Sequence, residues 1–185
     1  MSQSRNGTDD ERRGGYIPAP GSFEAQMLAL MPALRRYSRS LSHSDPDGED
    51  LLQDCVEKAL TSRNQWRGTQ LKAWAYTIMT NLYRNRHRAA RRHPSESLDG
   101  HENLSLPENP GDTLENDRLH GALATLTPDA RAVLMLVTVE GYSYQEVAEM
   151  MGVPLGTVMS RLSRARETLR LRLAADNIIP LRRPK

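Results

Sequence analysis

A chain of 185 residues, 38% apolar and 26% charged, has room for one ordinary domain or two small ones, each with a modest core. One Phe and few β-branched runs argue against a large sheet and for an all-α fold. The single cysteine, Cys55, excludes an intrachain disulfide and a cysteine-based zinc site, and the five scattered histidines lack metal-ligand spacing, so neither metal nor cofactor is implied.

The net charge of +2 is uninformative, but its distribution is not. Arg84, Arg86, Arg88, Arg91 and Arg92 form a run without an intervening acid, and a second basic stretch runs from Arg161 through Arg164, Arg166, Arg170 and Arg172 to the end. Two basic surfaces on a near-neutral chain point to two contacts with a polyanion, the alternative being two solvated helix faces. No apolar run of about 18 residues is present, so no membrane insertion is expected. The polar start lacks a secretory apolar segment, and a reducing cytoplasm is the expected location.

Residues 1–21, rich in Ser, Gly, Asp and Arg and closing on Pro18 and Pro20, read as a flexible arm. From Ser22 apolar residues recur at helical spacing: Phe23, Met27, Leu30, Leu34, Tyr37 and Leu41. Pro32 is expected to interrupt that helix. The segment from Ser44 to Gly48 reads as a loop. A second helix carries Leu51, Leu52, Cys55, Val56, Ala59 and Leu60 as its apolar stripe, with acids in its first half. A connector from Arg63 to Thr69 leads to a third helix from about Leu71 into the arginine run, which closes a first unit at 22–92.

Residues 93–113 contain no Lys or Arg, several acids, and Pro94, Pro107, Pro110, Gly100 and Gly111. They read as an acidic flexible linker. A second unit spans 114–175: a helix through Leu119 and Leu123, then a Thr127-Pro128 helix start and a helix with Val133, Leu136 and Val139. Residues 176–185 form a basic tail.

The sharpest local signal lies between Tyr144 and Leu171. Ser143 and Glu146 have the spacing of a capping box. Val147, Ala148 and Met151 make the inner face of a short helix, and Gly152 supplies a turn residue that tolerates positive φ. A second helix follows with Val158, Leu162, Ala165 and Leu169 inward, which leaves Thr157, Ser160, Arg161, Arg164 and Arg166 on exposed or flanking faces. Two helices, a tight glycine turn and an Arg- and Ser-rich second helix form a helix-turn-helix suited to a major groove. The bland alternative is a plain helical hairpin.

Both units taken together resemble the extracytoplasmic-function (ECF) sigma factors, the two-domain initiation subunits of bacterial RNA polymerase. Gly141 to Ala148 and Gly152 to Arg166 are similar to that family's fourth region. Asp50-Leu51-Leu52-Gln53-Asp54 with Glu57-Lys58-Ala59-Leu60 is similar to its polymerase-binding helix, and Leu71 to Leu82 to its promoter-melting helix. Met159 departs from the pattern, standing where members often carry Lys.

The resemblance implies core RNA polymerase, promoter DNA and an anti-sigma protein as partners, and a stress-type regulon. Thr157, Ser160, Arg161, Arg164 and Arg166 would then recognise the −35 element. Asp50, Gln53, Asp54 and Glu57 would contact polymerase, unless they are merely a solvated acidic face. Trp74, Tyr76, Asn81, Tyr83, Arg84, Arg86 and Arg88 would recognise and melt the −10 element. Trp74 and Tyr76, two residues apart, cannot both point inward. Trp74, in phase with Leu71 and Ile78, fits the core, and an exposed ring would stack on an unpaired base. Asn81 is read as hydrogen-bonding a flipped base or as a buried or capping residue.

No catalytic constellation and no glycine-rich phosphate loop is found, so the chain is not read as an enzyme. Strand opening would draw on binding energy alone. The alternative is a helix-turn-helix regulator that is not a polymerase subunit.

Overall fold

The computed structural model describes residues 18–42, 44–92 and 110–176, with side chains described for all of these except 110–116, 175 and 176. The arm and linker readings fall largely, and the tail reading almost wholly, on residues outside this set. Among the described residues all regular secondary structure is helical.

Three helices build the N-terminal unit: α1 (Phe23–Leu41), α2 (Asp45–Thr61) and α3 (Leu71–Arg92), with a single 3₁₀ turn at Arg63–Gln65 before α3. Ser22 caps α1 by accepting from the Ala25 amide at 3.1 Å. The helix continues through Pro32 rather than ending there. The expected loop at 44–48 is shorter than the sequence suggests. Ser44 is an N-cap and α2 is already helical at Asp45, because Pro46 falls in the first turn, where no amide partner is lost. Gly48 sits inside that turn and is buried. A Cβ there would lie 3.1–3.3 Å from Arg39, so the glycine lets α1 and α2 approach closely.

Four helices build the C-terminal unit: α4 (Pro110–Ala124), α5 (Pro128–Thr138), α6 (Tyr144–Met151) and α7 (Leu155–Asp176). The helix starts at Pro110, ahead of Leu114, since proline at a helix start breaks nothing. Thr127 caps α5, accepting from Ala130 at 3.3 Å. The capping box of α6 is complete: the Ser143 hydroxyl accepts from the Glu146 amide at 3.2 Å, and the Glu146 carboxylate accepts from the Ser143 amide at 2.8 Å. Gly152 ends α6 at φ +62°, a left-handed conformation that costs a residue with a Cβ about 1–2 kcal/mol. Val158, Leu162 and Ala165 of α7 are buried against α5 and α6.

The two units are packed together. Buried residues from Phe23 to Ala165 form one contiguous cluster, with α5 lying on α1 and α3, and α6 lying on α3. This seam changes the environment of several residues that a domain-by-domain reading places on a surface.

Candidate nucleic-acid interface

The two basic helices meet the seam from opposite sides. α3 presents one face to the core of its own unit through Leu71, Ala75 and Met79, and an adjoining face to the second unit. Tyr76 belongs to both. Its ring is fully buried, 4.7 Å from the Tyr37 centroid and 5.8 Å from the Tyr142 centroid, and its hydroxyl donates to Glu140 Oε2 at 2.5 Å. Trp74 is half-buried, edge-on to Phe23 at 6.1 Å. Tyr76 is therefore fully covered with help from the other unit, while Trp74, packed on its own unit, stays half-buried. The expectation that one ring stays exposed took a single buried face for granted, whereas α3 has two.

Further along α3, Tyr83 is buried, Asn81, Arg86 and Arg88 are exposed, and Arg84 turns into the seam. Arg86 bonds Asp54 and donates to the Asp50 carbonyl at 3.1 Å, which ties a proposed DNA contact to two proposed polymerase contacts. Asp50, Gln53, Asp54 and Glu57 are all exposed on α2. Gln53 and Glu57 border a groove of about 460 Å³ floored by Met31, Leu52, Val56 and Leu60. Leu60, expected within the buried stripe, is 43% exposed at this groove. Of the expected apolar stripe, Leu52 is buried and Val56 half-buried, so the stripe runs out from the core to the groove beside the acids.

On α7, Arg164 and Arg166 are exposed, while Thr157, Ser160 and Arg161 are half-buried. The Ser160 hydroxyl donates to the Thr157 carbonyl at 3.1 Å. Met159 is 52% exposed on the same helix.

Among the described residues, polar contacts across the seam centre on Arg131, Glu140 and Asp129, and Arg84 also donates from Nη1 to the Met151 carbonyl at 3.4 Å. Arg131 of α5, 1% exposed, inserts into the N-terminal unit and donates from Nε to the Ser40 carbonyl at 2.9 Å and from Nη2 to the Ser42 carbonyl at 2.8 Å. These carbonyls end α1, where the negative pole of the helix favours a cation. Burial pulls the Arg131 guanidinium below its ordinary basicity, and the neighbouring Tyr83 opposes that shift. Glu140, its side chain 1% exposed, faces Arg36 at 3.4 Å and Lys72 at 3.6 Å besides Tyr76. Asp129 bridges the two basic helices. Its Oδ1 accepts from Arg84 at 2.6 Å and its Oδ2 pairs with Arg161 at 2.7 Å. Arg131, Glu140 and Asp129 were not among the expected site residues. Their only mark in the sequence is charge within otherwise apolar or turn segments.

Residues 27–80 match the Sigma2 domain of PhyR family and residues 116–169 match Sigma-70, region 4. The chain is 36% identical over 163 residues to the ECF RNA polymerase sigma factor EcfG of Rhodopseudomonas palustris, covering 86% of this chain and 90% of that one. A solved complex of the sigma factor RpoE with the anti-sigma factor NepR from Bartonella quintana is similar at 34% identity and a TM-score of 0.67, covering 84% of this chain and 98% of that one. CnrH, solved in complex with the cytosolic domain of CnrY, is similar at 25% identity and a TM-score of 0.63, covering 85% and 92%. The chain belongs to the ECF sigma factors of bacterial RNA polymerase.

Proposed function

We propose that the chain binds core RNA polymerase through α2 and promoter DNA through α3 and α7, and that the closed arrangement is its resting state. The polymerase supplies catalysis, and the sigma chain supplies binding energy. Captured unpaired bases offset lost stacking of about 1.4 kcal/mol per step. An anti-sigma protein is a proposed further partner, supported by the complexes in which two similar proteins were solved. A stress-type regulon is the proposed setting.

The observation that carries the resting-state reading is the shared carboxylate of Asp129. Arg84 of the proposed −10 helix and Arg161 of the proposed −35 helix are both paired to it. The Arg84 pair crosses the seam and the Arg161 pair lies within the C-terminal unit, and each holds its arginine away from phosphates and bases. Tyr76 and Tyr83, also proposed for the −10 element, are buried at or beside the same seam. Opening would release Arg84 and the two tyrosines and let each unit meet its own element. Two weak sites on one tether then reinforce each other by about 10²–10⁴.

Run-off transcription with purified core polymerase tests the function. A specific product from a candidate stress promoter is expected, dependent on this chain. Failure to bind core and to yield a product on any such promoter would contradict it.

A further inference from the structure

The seam borders a cleft that gathers four arginines proposed for promoter DNA together with Arg91, which is not one of them. It holds about 500 Å³, within the range of small-ligand sites. One wall is the end of α3 with Arg84, Arg88 and Arg91. The opposite wall is α7 with Arg161 and Arg164. Five guanidinium groups face the cleft, against Asp129 as the single lining carboxylate among the described residues. The start of α5, from Thr127 to Ala130, forms its end, so the positive pole of that helix adds to the field. Asp129 satisfies one nitrogen each of Arg84 and Arg161. Nη1 of Arg161 is buried and has no hydrogen-bond partner among the described residues. Leu126, Pro128 and Ala165 supply an apolar patch beside the charges.

We propose that this cleft binds a compact oligophosphate and that the bound ligand holds the sigma factor closed. Planar guanidinium groups match phosphate oxygens in paired hydrogen bonds, and several on opposed walls suit a chain of phosphates better than one. Convergence of five like charges on one carboxylate opposes closure, and a polyanion removes that opposition. Neither unit alone has both walls, so the ligand binds the closed chain. By mass action, a concentration 100 times the Kd shifts the closed-to-open ratio about 100-fold. Because Arg161 and Arg164 are also proposed DNA contacts, an occupied cleft excludes promoter. The inference rests on the closed arrangement of the free chain.

The test is a titration of the full-length chain with inorganic tripolyphosphate, followed through its backbone amide resonances. Saturable one-to-one shifts are expected at Thr125, Leu126, Thr127, Asp129, Ala130 and Thr168, which line the cleft. Arg91→Glu, at an exposed position outside the proposed promoter contacts, should weaken binding at least tenfold. Glu140→Ala keeps every arginine but removes a seam contact; its domain separation is measured independently by small-angle scattering, and an opened chain should lose the site. ATP titrated in parallel separates the sources. Tighter binding than tripolyphosphate favours a nucleotide whose base uses the apolar patch, and equal or weaker binding favours an inorganic chain.

Shifts confined to the outer face of α7 would overturn the inference. So would an unchanged affinity in Arg91→Glu, or full affinity in a Glu140→Ala chain that scattering shows to be open. A Glu140→Ala chain that stays compact would instead count against the proposed latch and leave the Arg91→Glu arm to decide the cleft.

Discussion

The two ends of the seam are built differently. At one end Glu140 is sealed from water, with Tyr76, Arg36 and Lys72 around its carboxylate and two tyrosine rings beside it. At the other end Asp129 is about a quarter exposed and shares its charge between two arginines at the rim of a basic cleft. The sealed end gains hydrogen bonds in a setting of low polarity, where each to a charged group contributes about 1.5–3 kcal/mol. The wet end holds short, partly buried ion pairs whose carboxylate water and a phosphate-bearing polymer can reach. The difference suggests an order of opening: DNA or polymerase loosens the Asp129 end first, and the Glu140 end sets how firmly the closed state resists.

The largest effect is expected from Arg131, which inserts into the N-terminal unit at the end of α1. Arg131→Ala strips two buried carbonyls of charged donors, a loss of about 3–6 kcal/mol if the seam stayed shut. The carbonyls regain water when it opens, so the observed cost is capped at the free energy of closure. Small-angle scattering should show an expanded chain whose units remain helical by circular dichroism. Glu140→Ala should act the same way by about 2–3 kcal/mol. If its effect is no larger than that of Asp129→Ala, the two ends of the seam are equivalent.

A third prediction separates the arginines of α7. Arg164→Ala should weaken binding to a −35 duplex by about 1–3 kcal/mol if it reads a base. Arg161→Ala should lose less, because Arg161 is already paired to Asp129 within its own unit and must give up that pair to meet a phosphate or base. An equal or larger loss for Arg161 would show that Asp129 does not withhold it. The helix-turn-helix itself is sensitive to its cap: Ser143→Ala should cost about 1 kcal/mol, seen as a lower melting temperature.

Alkaline pH probes the sealed end. Burial raises the phenols of Tyr37 and Tyr76, and pushes Tyr142 up to about 12, above the ordinary value of 10. Between those values the unfolded chain releases protons that the folded chain keeps, so stability falls as pH rises above about 10. Phenolate absorbance should appear late and together with unfolding. Cys55, buried and pushed up to about 12, should resist alkylation at pH 8 until the chain unfolds.

Individual helices were readable from sequence because their signals are local: the spacing of Phe23, Met27, Leu34 and Leu41, the Ser143–Glu146 pair, and the glycine at 152. Ser44 was misread for a local reason too, since Ser-Asp-Pro marks either a turn or a capped helix and the choice depends on whether the following stripe packs. The seam was not readable. Arg131 resembles any charged residue of an amphipathic helix until α1 supplies its carbonyls, and Tyr76 resembles a surface aromatic until Tyr142 covers it. Contacts between units joined through 93–109 leave no periodicity in either unit. Nor do they leave a spacing that links Asp129 to Arg84.

The central claim is that the free chain rests closed. The most direct test is a distance measurement by electron spin resonance between labels at Asn64→Cys and Arg172→Cys, both exposed, with buried Cys55 left unlabelled. A single narrow distribution is expected in the free chain, shifting to longer and broader distances in Arg131→Ala and when core polymerase and promoter DNA are added. A broad distribution in the unmodified free chain, the same as that of Arg131→Ala, would contradict it.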